Sequence, residues 1–291
     1  SSGGGGRPAP PPGSNIFPAP GPRPALRAMG CGASSKKRKG AAFEVHHEVK
    51  FVSSPVAKGE PQAAAPKRAA STEAAETTEQ VVARIDGLLG TRPRICILGG
   101  LEFRDKDSKA LVEHIARDLS KAIGTRAVVV TGGMSGVQAT FAKHCHAGSV
   151  VWNLLPSGQA SGFGVGQDLA AGRTLDQRKD VYGEIGDIYL TVEGGPGVSG
   201  EARAAVRRGA AVVPMMRTGG ASEGQFEFPA SALQREPSCA ASEWELIRSK
   251  DAAVAESAKA AVAILLRHVE RVEKCRRDSG VQDVREAGTK A

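Results

Sequence analysis

The chain is poor in aromatic side chains, which make up 4% of its 291 residues. A core made from it must therefore rest on aliphatic contacts. The abundance of Ala, Gly and Val suits helices lying close against a parallel sheet. Cysteine is scarce and unpaired in pattern: Cys31, Cys96, Cys145, Cys239 and Cys275 are odd in number, and no CxxC occurs. That excludes a disulfide framework and a zinc-ribbon type of site, and a reducing compartment is expected. His144 and His146 flank Cys145 without a further ligand in reach of the sequence pattern, so no metal is expected. No run of 18 apolar residues is present and no signal peptide is visible, which leaves no segment to span a membrane. The formal charge of +8 is not spread as a nucleic-acid footprint would be. Its densest run, Lys36-Lys37-Arg38-Lys39, has no RNP-type aromatics, helix-turn-helix or zinc finger beside it, so no nucleic-acid partner is expected.

What is present begins with a segment that cannot build a core. Residues 1–28 are Gly, Pro, Ser and Ala with Ile16, Phe17 and Leu26 as the main large apolar side chains. Composition predicts disorder there, extending through an Ala/Pro/Glu/Thr-rich linker to about residue 76. Within it, Met29-Gly30-Cys31-Gly32-Ala33-Ser34 fits the M-G-x-x-x-[ST] acylation pattern, followed by the basic run. A myristoyl chain on Gly30 binds membranes marginally; a palmitoyl on Cys31 or the lysines would supply the second signal. The pattern acts only if translation starts at Met29, so that Gly30 carries the free amine. The expectation is a cytoplasmic protein, with peripheral attachment to the cytoplasmic membrane face through residues 30–39 wherever those acyl groups are added.

The folded part is expected over residues 77–277, with a disordered tail at 278–291. Helical spacing runs from about Thr77 to Leu89 and stops at Gly90. Short apolar runs and helical periods then alternate. Strands are predicted at Arg94–Leu98, Ala127–Thr131, Val150–Leu155, Ile188–Val192 and Ala211–Met215. Helices are predicted at Ser108–Ile123, Val137–Cys145, Leu175–Ile185 and from about Ser199 to Arg208, with a polar loop after Leu155. A short helix at Ser242–Ile247 and a long one from Asp251 to about Arg277 complete the domain. Such alternation specifies an α/β fold: a Rossmann-like parallel sheet with helices on both faces.

Three glycine pairs follow predicted strands: Gly99-Gly100, Gly132-Gly133 and Gly194-Gly195. In a parallel sheet all three fall on the carboxyl edge, where open α/β folds bind ligands. Glycine lets backbone N–H groups approach an anion, and a following helix N-terminus adds a favourable field. The absence of GxxxxGK[ST] disfavours a Walker NTPase. No full GxGxxG is expected among these turns either, so an ordinary dinucleotide dehydrogenase is disfavoured.

Arg178-Lys179, the strand Ile188–Val192, and then Glu193-Gly194-Gly195-Pro196-Gly197-Val198-Ser199-Gly200-Glu201 form the informative stretch. It resembles the Lonely Guy (LOG) family, within the SLOG group of Rossmann-like nucleotide-binding domains, which carries an Arg-Lys pair, a strand and PGGxGTxxE. Gly194, Gly195, Gly197 and Glu201 match in register, and Arg178 stands 23 residues before Glu201. The resemblance implies hydrolysis of the N-glycosidic bond of a nucleoside 5′-monophosphate to free base and ribose 5-phosphate, with no cofactor, by a homodimer; in plant-type relatives the substrates are cytokinin riboside monophosphates. An older label for such sequences, "lysine decarboxylase-like", is set aside because no pyridoxal site is apparent. It implies Glu201 as the carboxylate facing the ribose and Arg178 as its orienting partner. Amides of Gly195, Gly197 and Val198 would hold the phosphate, and the turns at Gly99, Gly100, Gly132 and Gly133 would complete the nucleotide site. Two departures stand out: Glu193 replaces the family proline, and Val198 replaces the threonine hydroxyl, for which Ser199 is the nearest substitute. They keep a second reading open, a catalytically silent sensor of a nucleotide or ADP-ribose-like ligand.

Overall fold

The computed structural model describes residues 76–279. The expectations of disorder and of acylation at Gly30 and Cys31 fall outside these residues, as does the tail beyond Ser279. Among the described residues, seven α-helices and six strands form the α/β succession, one strand more than expected. Helix α1 (Thr78–Leu89) opens on a capping box: the Thr77 side chain accepts from Gln80 N while Gln80 reaches back to the Thr77 amide. The rest of the α/β alternation is β1 (Arg94–Gly99), α2 (Ser108–Ile123), β2 (Val128–Thr131), α3 (Val137–His144), β3 (Val150–Leu155), β4 (Gln167–Ala170), α4 (Leu175–Ile185), β5 (Ile188–Val192), α5 (Pro196–Arg207) and β6 (Ala211–Met215). Two further helices, α6 (Ala241–Arg248) and α7 (Val254–Asp278), close the domain.

All strands are parallel, in the order β4-β3-β2-β1-β5-β6. Strands β1, β2, β5 and β6 are buried along nearly their whole length, because helices cover both faces. One face packs Leu111, Ile115 and Leu119 of α2, Phe141 of α3 and Ile264 and Leu265 of α7. The other packs Val81 and Ile85 of α1, Val181, Tyr182 and Ile185 of α4 and Ala202 and Ala205 of α5. No helix among the described residues is long and apolar enough to cross a membrane.

The structure departs from the sequence reading in two places. Strand β4 lies inside the expected polar loop. It is an edge strand, largely exposed, so no apolar run marks it. Its anchor is polar: the Asp168 carboxylate accepts from Ser161 N at 2.8 Å and from Asn153 Nδ2 at 3.0 Å. Helix α5 begins three residues before the expected Ser199. Pro196 occupies its first position, where a fixed φ favours the helix and no N–H is missed.

The direction of winding changes between β1 and β5. Chain order runs from β1 outward to β4 on one side and through β5 to β6 on the other. The loops leaving β1 and β5 therefore flank the topological switch point, where doubly wound sheets form their ligand crevice.

Candidate nucleotide site at the carboxyl edge

Arg178 lies in the second turn of α4, whose start is fixed by Thr174 accepting from Gln177 N. It points inward and is 3% exposed, whereas its neighbour Lys179 turns outward to Asp176 at 3.0 Å. The guanidinium rests over the ring of Tyr182 one turn on, with Cζ 5.2 Å from the centroid. Tyr182 is itself a wedge in the sheet. Pairing of β1 with β2 reaches Cys96↔Val130, whereas pairing of β1 with β5 continues to Gly99↔Val192. The tyrosine hydroxyl enters where β1 and β2 part, accepting from Ile97 N at 3.0 Å and lying 2.8 Å from the carbonyls of Ile97 and Val130.

Glu201 reaches this arginine from the second turn of α5. Arg178 Nη1 donates to Glu201 Oε1 at 2.9 Å, and Nη2 donates to the Gly132 carbonyl at 2.9 Å. Both side chains are buried, Glu201 being 8% exposed. Two glycines make the meeting possible. A Cβ on Gly183 would lie 2.8 Å from Ala204 Cβ, so its absence lets α4 and α5 approach. A Cβ on Gly132 would lie 2.2 Å from Arg178 Nη2. Burial pushes the Glu201 carboxyl up to about 7, against the opposing pull of Arg178 and Lys179. Glu201 Oε2 takes no hydrogen bond from the described residues, and Arg178 Nε is buried without a partner. An ionisable carboxylate and an unpaired guanidinium N–H thus share one buried spot.

Beside them, helix α5 begins with no side-chain cap. The N–H groups of Gly195, Gly197 and Val198 have no acceptor among the described residues, the first bonded amide being Ser199 N to Gly195 O at 3.1 Å. Pro196 and Gly197 are exposed. Free amides at a helix start, with the macrodipole behind them, favour an anion. Gly194 supports this turn rather than lining it. It sits at φ +92°, its Cα packs on Val198, and its carbonyl accepts from Ala221 N at 2.9 Å.

The other glycine turns serve differently from the expectation. Gly132 N and Met134 N both donate to Gln138 Oε1, at 2.9 and 3.1 Å, and Gly133 N donates to Thr131 Oγ1 at 3.2 Å. Their amides are spent, and what the turn offers is the Gly132 carbonyl. Gly100 N donates to Val192 O at 3.3 Å, and Gly99 gives room to Val137, whose side chain would lie 2.5 Å from an added Cβ. The Gly100 amide is therefore spent as well. Ser199 does not replace the missing threonine hydroxyl. It is fully buried, and its Oγ donates to Phe226 O at 2.6 Å, facing away from Glu201 around the helix. Glu193 pairs with neither Arg178 nor Lys179. It sits at φ +53°, buried, and accepts from Arg104 N and Asp105 N at 3.0–3.1 Å.

Contrary to the expectation, a full G-x-G-x-x-G is present. Gly195, Gly197 and Gly200 complete G-x-G-x-x-G across the start of α5. The next strand, β6, ends in Pro214-Met215, without the carboxylate that a dinucleotide ribose would need. The residues fit a phosphate better than a dinucleotide.

Comparison with known proteins gives structural likeness only. The chain is similar to TM1055, a structural-genomics target, at 21% identity and a TM-score of 0.40, over 45% of this chain and 78% of that one. It is similar to the Moco carrier protein from Chlamydomonas reinhardtii at 19% identity and a TM-score of 0.37, over 42% and 75% of the two chains. It is similar to DNA processing protein A from Helicobacter pylori, a single-stranded DNA binder, at 18% identity and a TM-score of 0.36, over 44% and 66%. Each of these is a distant likeness. No protein-family model and no curated protein matches the chain.

Proposed function

We propose that the domain is a LOG-like phosphoribohydrolase that cleaves the N-glycosidic bond of a nucleoside 5′-monophosphate. The observation that carries this reading is the buried Arg178–Glu201 pair beside the free amides of α5. The phosphate sits on the N–H groups of Gly195, Gly197 and Val198, which leaves the ribose facing Glu201. As the C1′–N bond breaks, its electron pair leaves with the base and positive charge develops on the sugar. The Glu201 carboxylate stabilises that charge and takes a proton from the water whose oxygen bonds to C1′. The base leaves as its neutral form by accepting a proton from Arg178-ordered solvent. A carboxyl poised near 7 is ionised in a useful fraction at neutral pH and can return the proton afterwards.

A second reading, a nucleotide sensor without turnover, is favoured by the missing hydroxyl at Val198 and the spent donors of Ser199. The two separate cleanly. Purified protein incubated with AMP and N6-substituted analogues releases free base and ribose 5-phosphate if the hydrolase reading holds, and Glu201→Gln abolishes release without abolishing binding. Thermal stabilisation by the same nucleotides with no released base, in wild type as in the variant, would leave the sensor.

A further inference from the structure

The carboxylate of Glu193 occupies an unusual place. It lies between the loops that leave β1 and β5, at the switch point of the sheet. A Cβ on Gly100 would stand 3.4 Å from Glu193 Oε2 and 3.8 Å from Gly194 N, so the two loops meet around it. Two consecutive backbone amides hold it: Arg104 N reaches both carboxylate oxygens, at 3.1 and 3.0 Å, and Asp105 N reaches Oε1 at 3.0 Å. That is how successive amides of a loop bind an anion. No cation among the described residues pairs with it, and the residue is 3% exposed.

The backbone is arranged to keep the side chain there. Glu193 N donates to Thr218 Oγ1 at 2.8 Å, and its carbonyl accepts from Ser222 N at 3.1 Å and Ser222 Oγ at 3.0 Å. Its φ of +53° is a left-handed conformation costly for a residue with a Cβ and closed to proline, whose ring fixes φ near −65°. The turn is therefore built around this carboxylate and could not be made by the proline found in LOG-type motifs.

We propose that Glu193 is a resident anion. It fills an anion site formed by the amides of Arg104 and Asp105 at the sheet's switch point, and so limits the ligand to one phosphate, lodged on α5. The limitation to one phosphate rests on the reading of α5 given above, whereas the site at Arg104 and Asp105 does not. A diphosphate extending from α5 toward β1 meets a buried negative charge and no free donor. Glu193 thus acts as a specificity-determining residue, selecting nucleoside monophosphates over diphosphates.

The test uses the whole chain and two simple probes, inorganic phosphate and pyrophosphate. Glu193→Gly removes the carboxylate at a position whose φ glycine adopts freely. Glu193→Asn also tolerates a left-handed backbone and is too short to reach the amides, so it serves should the glycine variant fold poorly. Calorimetric titration is expected to find one more phosphate ion bound by either variant than by wild type, and pyrophosphate bound at least about tenfold more tightly. Phosphate is expected to slow hydrogen exchange at the Arg104 and Asp105 amides in the variants and not in wild type. Glu193→Gln, whose side-chain carbonyl still accepts from both amides, keeps the wild-type count. Cooperatively folding variants that bind no more phosphate than wild type, with unchanged exchange at those two amides, would overturn the proposal. Failure of the α5 reading looks different: wild type then binds no phosphate, and the variants still bind one.

Discussion

Replacing Arg178 with methionine removes a buried positive charge and leaves Glu201 beside an apolar side chain of similar length. The sign of the effect follows from the carboxyl's raised pKa. In the native protein Glu201 holds its proton up to about 7, whereas an unfolded chain releases it near 4.5. Stability from this group is therefore fully present below about 4.5 and is lost as pH rises to about 7. Each pH unit over which only the folded chain holds the proton costs about 1.36 kcal/mol, so the wild-type loss totals about 3 kcal/mol and then stops. Without the guanidinium the folded carboxyl stays protonated to higher pH and the loss continues. Between about pH 7 and about pH 9 that adds up to about 3 kcal/mol to the cost of the substitution. A further pH-independent loss of about 1–3 kcal/mol is expected from the Gly132 carbonyl, which loses its donor. Urea unfolding at about pH 6 and about pH 9 should thus show the Arg178→Met penalty growing by roughly 2–3 kcal/mol, and Glu201→Gln in the same background should cancel that growth. A penalty equal at the two pH values would refute the reasoning, because Glu201 would then not be a buried carboxyl relieved by Arg178.

Four other outcomes are expected. If Glu201 acts ionised, kcat/KM for base release rises with pH through a midpoint near 7, and a rate flat from about pH 5.5 to about pH 8.5 would count against that role. Val198→Thr keeps the side-chain shape and adds a hydroxyl at the start of α5, so phosphate or AMP should bind about three- to tenfold more tightly by calorimetry. Gly132→Ala forces a methyl into the Arg178 guanidinium and should cut base release at least about tenfold while lowering the melting temperature. Gly197→Ala, at a position with nothing within 4 Å of an added Cβ, should leave the melting temperature nearly unchanged.

The sheet was legible because its strands are buried on both faces. Ile95–Leu98, Val128–Thr131 and Ile188–Val192 read as nearly continuous apolar runs, with Gly90 and Gly124 stopping the helices that lead into the first two. Strand β4 was not legible, because an edge strand held by Asp168, Ser161 and Asn153 has no need of apolar residues. The meeting of Arg178 with Glu201 followed from motif spacing. Their supports did not: nothing in the local sequence says that Gly183 lets two helices close or that Tyr182 lies beneath the arginine. The spent amides at Gly132–Met134 had a signal in Gln138, a long polar side chain just inside the next helix and folded back over the turn. Glu193 reads in sequence only as an unfavourable charge. Its meaning depends on amides about 90 residues away, which only the parallel crossover brings near.

The hydroxyl of Tyr182 takes the place of a backbone partner between two central strands, and the same ring carries the arginine of the proposed site. The proposed site is thus bolted to the most protected interior of the domain. Heat or denaturant cannot slacken this arginine without first opening the middle of the sheet, so recognition and architecture are expected to fail together, in one cooperative step.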